Sequence, residues 1–261
     1  MRIHEADDQE AHGIYIRLLR SELTIDTLLE LKDIGKQYQR RAALQGVNLS
    51  LGRGESITLF GPNGAGKTTL MKIISGLMVP TKGEFLFCGK PASESPLRRE
   101  TFYLGHKNAL YGGLTVLENM DFAQRLHNRR DKGSVEAVLR EHGFWERRDD
   151  TVRELSQGMK RRLAIARAFV LTPPLLVLDE PFVGLDIKWR RSVLESIKEL
   201  KQAGAALVLS THLVDEGYEL ADRIMFLDKG KALFLKRRED VGIDEIKEMF
   251  DGPPAPVVPV C

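Results

Sequence analysis

The chain has 261 residues, with 39 Lys and Arg against 37 Asp and Glu, and 43% hydrophobic residues. That length suits one large domain or two small ones around a real core, and a net charge of +2 argues against a basic nucleic-acid clamp and against an acidic tail. No stretch approaches the roughly 20 apolar residues of a membrane-spanning helix, and two cysteines, Cys88 and Cys261, are too few for a disulfide framework or a cysteine zinc site.

Residues 1–26 read as an extension. They are polar at first, then carry Ile14, Ile16, Leu18 and Leu19 in a short amphipathic run, which predicts a weakly docked segment. No apolar stretch follows the acidic start, so it is not a secretory signal. Leu29, Leu31, Val47, Leu49 and Leu51 alternate with polar residues, as half-buried strands do, and predict a small antiparallel sheet. Ser56–Phe60 is an apolar strand ahead of a Gly-rich loop, and the amphipathic helix after that loop is stopped by Gly76 and Pro80.

From about 107 to 155 the strand signals disappear, which predicts a helical insert. Thr115 and Glu118 form a capping box for a helix reaching about His127, and Ser134 is placed to cap a second helix through His142. Leu175–Leu178 and Ala206–Leu209 are again apolar strands, ending in Asp179-Glu180 and in Ser210-Thr211-His212. Strands alternating with helical patterns predict an α/β domain over 27–240 with a parallel sheet. The segment 241–261 holds a short helix-like stretch, Ile243–Phe250, then four prolines that support neither a regular helix nor a central strand. That tail is expected to be mobile.

Three strands thus end in polar residues at their carboxyl ends, the edge where open α/β sheets bind ligands. Gly61-Pro62-Asn63-Gly64-Ala65-Gly66-Lys67-Thr68-Thr69 matches the P-loop pattern, with a strand before it and a helix after it. Its glycines let backbone N–H groups wrap a triphosphate at a helix N-terminus. Lys67 is expected on the β- and γ-phosphates of ATP and the Thr68 hydroxyl on Mg2+. Asp179, closing a buried strand, supplies the magnesium-side carboxylate, and Glu180 is placed to polarise an attacking water. Two adjacent acids after a strand could equally cap a helix; the P-loop upstream favours catalysis. The arginine pairs at 129–130, 147–148 and 190–191 read most simply as solvated helix faces.

Leu155-Ser156-Gln157-Gly158-Met159 resembles the signature sequence of ABC-type ATPases, usually L-S-G-G-Q, and the resemblance runs from about Leu28 to Leu235. It implies a P-loop NTPase core with a small antiparallel β subdomain and an α-helical insert. It implies further that Asp179–Asp186 joins the second acidic motif to the D-loop, with Asp186 organising a dimer interface. Tyr38 stands where the family has an aromatic residue stacked on adenine. His212 stands at the switch histidine, where a hydrogen bond holds phosphate, water and Glu180 in register. Ser156 can cap the helix that follows and Gly158 allows close backbone approach. In the family this segment serves the nucleotide of the other copy, so a head-to-tail homodimer, or a pseudo-dimer with a related subunit, encloses two ATP. The chain is then the motor of a transporter, peripheral on the cytoplasmic face of the inner membrane, with integral membrane permease subunits as partners and no nucleic acid.

Two departures stand out. His106 occupies the position of the family's Q-loop glutamine; an imidazole is a poor magnesium ligand, so it is expected to act through a water or as a donor to phosphate. Gln157 and Met159 replace signature residues, while Ser156 and Gly158 are kept. Leu104-Gly-His106 followed by Leu114-Thr-Val-Leu-Glu-Asn119 resembles the ATP-binding subunits of bacterial haem exporters of cytochrome c maturation, although Lys107 stands where those commonly have Gln. A drug, lipid or polysaccharide exporter, or a soluble ATPase of translation or DNA maintenance, are the alternative readings. The soluble ones usually carry two nucleotide domains or a long coiled coil, and neither is seen here.

Overall fold

The computed structural model describes residues 27–127 and 132–251. The expectations for the N-terminal extension, for Arg129 and Arg130, and for the proline-rich end fall outside the described residues. In chain order the elements are β1 (Thr27–Tyr38), β2 (Arg41–Gly52), β3 (Ser56–Phe60), α1 (Lys67–Ile74), β4 (Lys82–Phe87), β5 (Lys90–Pro91), α2 (Leu97–Glu100), β6 (Thr101–Leu104), α3 (Val116–Leu126), α4 (Lys132–Glu141), α5 (Gln157–Leu171), β7 (Leu175–Asp179), α6 (Ile187–Gln202), β8 (Ala206–Ser210), α7 (Val214–Leu220), β9 (Arg223–Asp228), β10 (Lys231–Arg237) and α8 (Ile243–Asp251).

Two sheets organise the chain. The smaller is antiparallel, in the order β2-β1-β4-β5, and the larger runs β10-β9-β3-β8-β7-β6. In the larger sheet β9, β3, β8, β7 and β6 are mutually parallel, and β10 closes the edge antiparallel to β9. Every residue of β3, β7 and β8 is buried, which is why these strands read as continuous apolar runs rather than alternating ones. In β2 the alternation is plain: Leu44, Val47, Leu49 and Leu51 face inward, between exposed neighbours. The two sheets enclose α1, whose Leu70, Met71, Ile73 and Ile74 are buried. The other face of the large sheet packs on α5 and α6.

The helical insert is α3 and α4, with a core of its own built from Val116, Met120, Leu139 and Phe144 against Leu163, Ala166 and Val170 of α5. Thr115 caps α3 with both halves of the capping box present, and the helix ends at Leu126 with His127 as its cap. Ser134 does not cap α4. The helix is already under way at Lys132, and the Ser134 hydroxyl accepts a hydrogen bond from the Gln124 amide of α3. A cap residue inside the first turn finds its partner on a neighbouring helix instead. The helix expected at Ile243–Phe250 is α8. Its Ile246 is fully buried, and the Phe250 ring packs edge-on against Phe60 and Phe226.

Strands β6, β9 and β10 carried no clear signal in the sequence. Thr101–Leu104 is only four residues long, and β9–β10 is a hairpin turned at Lys229-Gly230, both with positive φ. Among the described residues, no helix is long and apolar enough to cross a membrane. The expectation that Arg148 and Arg190 lie on solvated faces is corrected in part: Arg148 covers the Trp145 ring at 4.6 Å, and Arg190 pairs with Glu216 at 3.3 Å while its Nε is buried without a partner.

One polar cluster pins the start of β3 to the start of β9. Asp222 accepts from the Ser56 backbone N–H (2.9 Å), from the Ser56 hydroxyl (2.9 Å) and from Lys201 (2.8 Å). Burial alone would raise the Asp222 carboxyl, but the hydrogen bonds from Lys201 and Ser56 outweigh it and leave the pKa below its ordinary value. A carboxyl with a depressed folded-state pKa adds stability above its unfolded pKa and loses it as pH falls through the folded value. The side chain is 47% exposed, so Asp222→Asn is expected to cost only about 1 kcal/mol in urea unfolding at pH 7. The gap between variant and wild type should close as pH falls below about 4; a constant gap from pH 7 to 3 would contradict this account.

Candidate nucleotide site

The carboxyl ends of β3, β7 and β8 lie together at one edge of the large sheet, as their polar termini predicted. Gly61 leaves β3 at φ 140, and a Cβ there would lie 2.0 Å from the Leu227 carbonyl oxygen of β9. Gly66 has φ 108 and its missing Cβ would meet the Ala43 carbonyl oxygen at 2.6 Å. Both positions therefore require glycine, for backbone conformation and for space. Pro62, Asn63 and Gly64 are exposed, and Ala65 is buried. The loop is fastened behind by the β9–β10 turn, where the Gly230 N–H donates to Ala65 and the Gln45 N–H donates to Gly230.

Gly66 is the N-cap of α1 and supplies no side-chain cap, so the first-turn N–H groups of Lys67, Thr68 and Thr69 are left to other acceptors. A helix N-terminus with uncapped N–H groups favours an anion. The Lys67 ammonium donates to the Gly61 (2.6 Å) and Pro62 (3.1 Å) carbonyls. Burial lowers its pKa, opposed by the nearby Glu180 and Asp179 carboxylates.

The two acidic residues sit in different environments. Asp179 is 1% exposed. Its Oδ2 accepts from the Thr68 hydroxyl at 2.8 Å and its Oδ1 from the Ser210 hydroxyl at 2.6 Å. Strand β8 lies between β3 and β7, so Ser210 bridges the gap that the strand order leaves. Ser210 was not singled out in the sequence; its place before Thr211 and His212, at a strand end, was the only signal. Glu180 lies just beyond the strand, with φ 53. Its N–H donates to the Ser210 carbonyl at 3.0 Å, and its Oε2 lies 2.9 Å from His212 Nδ1 and accepts weakly from the His212 N–H at 3.4 Å. A left-handed glutamate is strained, by roughly 1–3 kcal/mol, and such strain clusters at functional positions. Contact with a carboxylate makes Nδ1 the donor and fixes the ring's tautomer when neutral.

His106 is exposed in the loop after β6. It shares a cavity of about 90 Å³ with Asn108, Gln157, Arg161 and Glu180. The structure thus brings the loop of the substituted glutamine, the signature segment and Glu180 to one place. Ser156 caps α5, its hydroxyl accepting from the Met159 N–H at 3.2 Å. Gly158 lies close to Leu185 and Trp189 of the following turn and helix. Among the described residues, no hydrogen bond joins Ser156 or Gly158 to the 61–69 loop. Tyr38 is 45% exposed at the tip of the β1–β2 hairpin, its hydroxyl 2.9 Å from the Met78 sulfur. The same hairpin carries Ala43 against Gly66. Asp186 caps α6, accepting from the Trp189 N–H at 3.0 Å.

Thr68 and Asp179 place a hydroxyl and a carboxylate oxygen side by side, a donor set that fits a hard divalent cation. The arrangement as a whole can cradle polyphosphate charge with backbone N–H groups and an ammonium. It also presents a carboxylate, steadied by an imidazole, beside that cradle. Ser210→Ala would leave Asp179 one hydrogen bond short in a buried setting, at an expected cost of about 2 kcal/mol. Urea unfolding measures it, and a loss below a few tenths would show that the hydroxyl does not hold the carboxylate.

The family model for ABC transporter matches residues 44–183. The chain is 38% identical over 208 residues to a spermidine/putrescine import ATP-binding protein of Spiroplasma citri, covering 78% of this chain but 59% of that protein. It is 34% identical over 220 residues to the linearmycin resistance ATP-binding protein of Bacillus subtilis, covering 82% of this chain and 70% of that one. A solved structure of a dimeric ATP-binding cassette in a post-hydrolysis state, bound to ADP and Pi, superposes with a TM-score of 0.74 at 26% identity, over 80% of this chain and 98% of that one. The chain belongs to the ABC transporter family, as an ATP-binding ATPase domain.

Proposed function

We propose that this chain is the ATP-hydrolysing motor of a transporter. Two copies, or one copy and a related subunit, close head to tail around two ATP and drive separate membrane permeases from the cytoplasmic face. The observation that carries the reading is the convergence of the Lys67 loop, the Thr68–Asp179 contact and the Glu180–His212 pair at one sheet edge. The spermidine/putrescine relative is an import ATP-binding protein by name and the linearmycin relative a resistance ATP-binding protein, and the cassette with ADP and Pi is a dimer. Ser156 and Gln157 are exposed, which fits a signature that serves the partner's nucleotide.

In this mechanism Lys67 exchanges its two carbonyl acceptors for β- and γ-phosphate oxygens, joined by N–H groups of Gly64, Gly66, Thr68 and Thr69. Tyr38 stacks on the adenine. Thr68 and Asp179 hold a magnesium ion, which supplies neutralising charge to the phosphate oxygens. Glu180 accepts a proton from water as its oxygen bonds to the γ-phosphorus and the bond to the β-phosphate oxygen breaks, giving ADP and inorganic phosphate. His212 holds Glu180 in place through Nδ1 and, in its imidazolium form, also donates toward the γ-phosphate from Nε2, and His106 reaches the same phosphate from its loop, directly or through a water. The closed dimer binds ATP better than the open one, so nucleotide drives closure and hydrolysis reopens it.

Glu180→Gln keeps the shape of the site and removes the base. Turnover is expected to fall at least ~10²-fold, with nucleotide affinity kept and an ATP-bound dimer accumulating on gel filtration. Full turnover in that variant would sink the assignment of Glu180.

For the cargo, the segment Leu104–His106 with Leu114–Asn119 supports haem export for cytochrome c biogenesis. The names of the relatives support a polyamine importer or a drug exporter instead. Affinity purification of the chain from detergent-solubilised membranes, with its integral partners identified, separates these. Haem-handling subunits, together with loss of c-type cytochromes in cells lacking the chain, support the first; an unrelated permease discards it.

A further inference from the structure

Arg161 lies on α5, two residues beyond the signature segment, and is 5% exposed. All five of its N–H donors are used. Nε donates to the Pro181 carbonyl (2.9 Å), and Nη2 to the carbonyls of Asp179 (3.2 Å) and Glu180 (2.7 Å). Nη1 donates to the Gly105 carbonyl (2.7 Å) and to the Asn108 side-chain oxygen (3.1 Å). A buried guanidinium is costly unless every donor is matched, and here the match is complete. Burial lowers its pKa to about 10, against the pull of Asp179, Glu180 and Tyr103, so the group stays charged at neutral pH.

The acceptors fall into two sets. One is the turn that carries Glu180; the other is the loop that carries His106. Within the turn, the Asp179 carbonyl belongs to the peptide plane before Glu180, and the Glu180 carbonyl to the plane after it. Each plane is rigid, so holding both fixes φ and ψ of Glu180 between them. The N–H of the first plane is held as well, by the Ser210 carbonyl at 3.0 Å. These bonds over-determine the left-handed backbone at φ 53, a conformation that persists only where its surroundings impose it.

We propose that Arg161 is a positioning residue for Glu180, tying the backbone of the base to the His106 loop so that loop and base move as one body. The proposal rests on the reading of Glu180 as the base that activates water. It adds a side chain whose N–H donors are all spent on the protein and which acts through another residue.

Arg161→Lys keeps the charge and loses the planar fork. With the full chain, steady-state ATPase and the affinity for a fluorescent ATP analogue separate the outcomes. The expected result is a kcat about 10²-fold lower, with KM and analogue affinity within about twofold of wild type. Asn108→Ala removes only the side-chain link to the loop; kcat should fall about threefold alone and no further in the Arg161→Lys background. A wild-type kcat in Arg161→Lys overturns the proposal. So does a loss of analogue affinity and of melting temperature in step with kcat, which is what a purely structural arginine would give. Should Arg161→Lys not fold, Asn108→Ala decides alone, an unchanged kcat counting against the link. If Glu180→Gln also turns over at the wild-type rate, the reading of the base has failed; if Glu180→Gln is inert and Arg161→Lys is not, only this inference has.

Discussion

The Asp179 carboxylate is the point on which the site depends. It is almost wholly buried and accepts hydroxyl hydrogen bonds on both oxygens, from Thr68 after β3 and from Ser210 at the end of β8. Those two partners follow or end separate strands, Thr68 in the first turn of α1 after β3 and Ser210 closing β8, so the carboxylate joins three adjacent strand ends. Burial makes these bonds matter, because an unmatched carboxylate in that setting would be expensive. The parallel register, with Asp179 opposite Ser210 and Leu59 opposite Ser210 on the other side of β8, brings the groups within reach. Hydrophobic burial of β3, β7 and β8 holds that register. The apolar core thereby sets the geometry of the polar edge.

Around this point the chain uses backbone as much as side chain. At Gly61 and Gly66 of the loop after β3, a Cβ would collide with a neighbouring carbonyl. Glu180 is held in a left-handed conformation by bonds to Ser210 and Arg161. Both are local costs met by the surrounding packing. The β9–β10 turn belongs to the same design, since Gly230 binds the back of the loop and lies against Ala43 of the small sheet. The two sheets therefore meet at the loop itself.

Helix α5 has a double role. Its N-terminus presents Ser156 and Gln157 on the surface, while its inner face anchors the loop after β6. Arg161 reaches Gly105 and Asn108, and Arg167 donates to the Ala109 carbonyl at 2.6 Å. One helix thus binds the insert, the loop of His106 and the turn of Glu180. The insert's hydrophobic core completes the attachment.

The sequence by itself determined the three buried strands, the P-loop, the capped α3 and the order of the acidic and histidine motifs. Each of these is a local signal: an apolar run, glycines at fixed spacing, or a capping pair three residues apart. It did not reveal β6, which is four residues long, β10, which is largely exposed, or β9, a buried apolar run whose parallel partner β3 lies far away in the chain. Ser134 showed the limit of local reading, since a good cap residue was taken by Gln124 of another helix. Only the tertiary structure decided that Ser210 holds Asp179, that Glu180 is left-handed and meets His212, and that Arg161 is a buried clamp rather than one more cation in a basic run. The physical reason is the same in each case. Hydrogen-bond partners 18 to 56 residues away, or 31 to 32, are chosen by which strand ends lie side by side, and no local pattern records that.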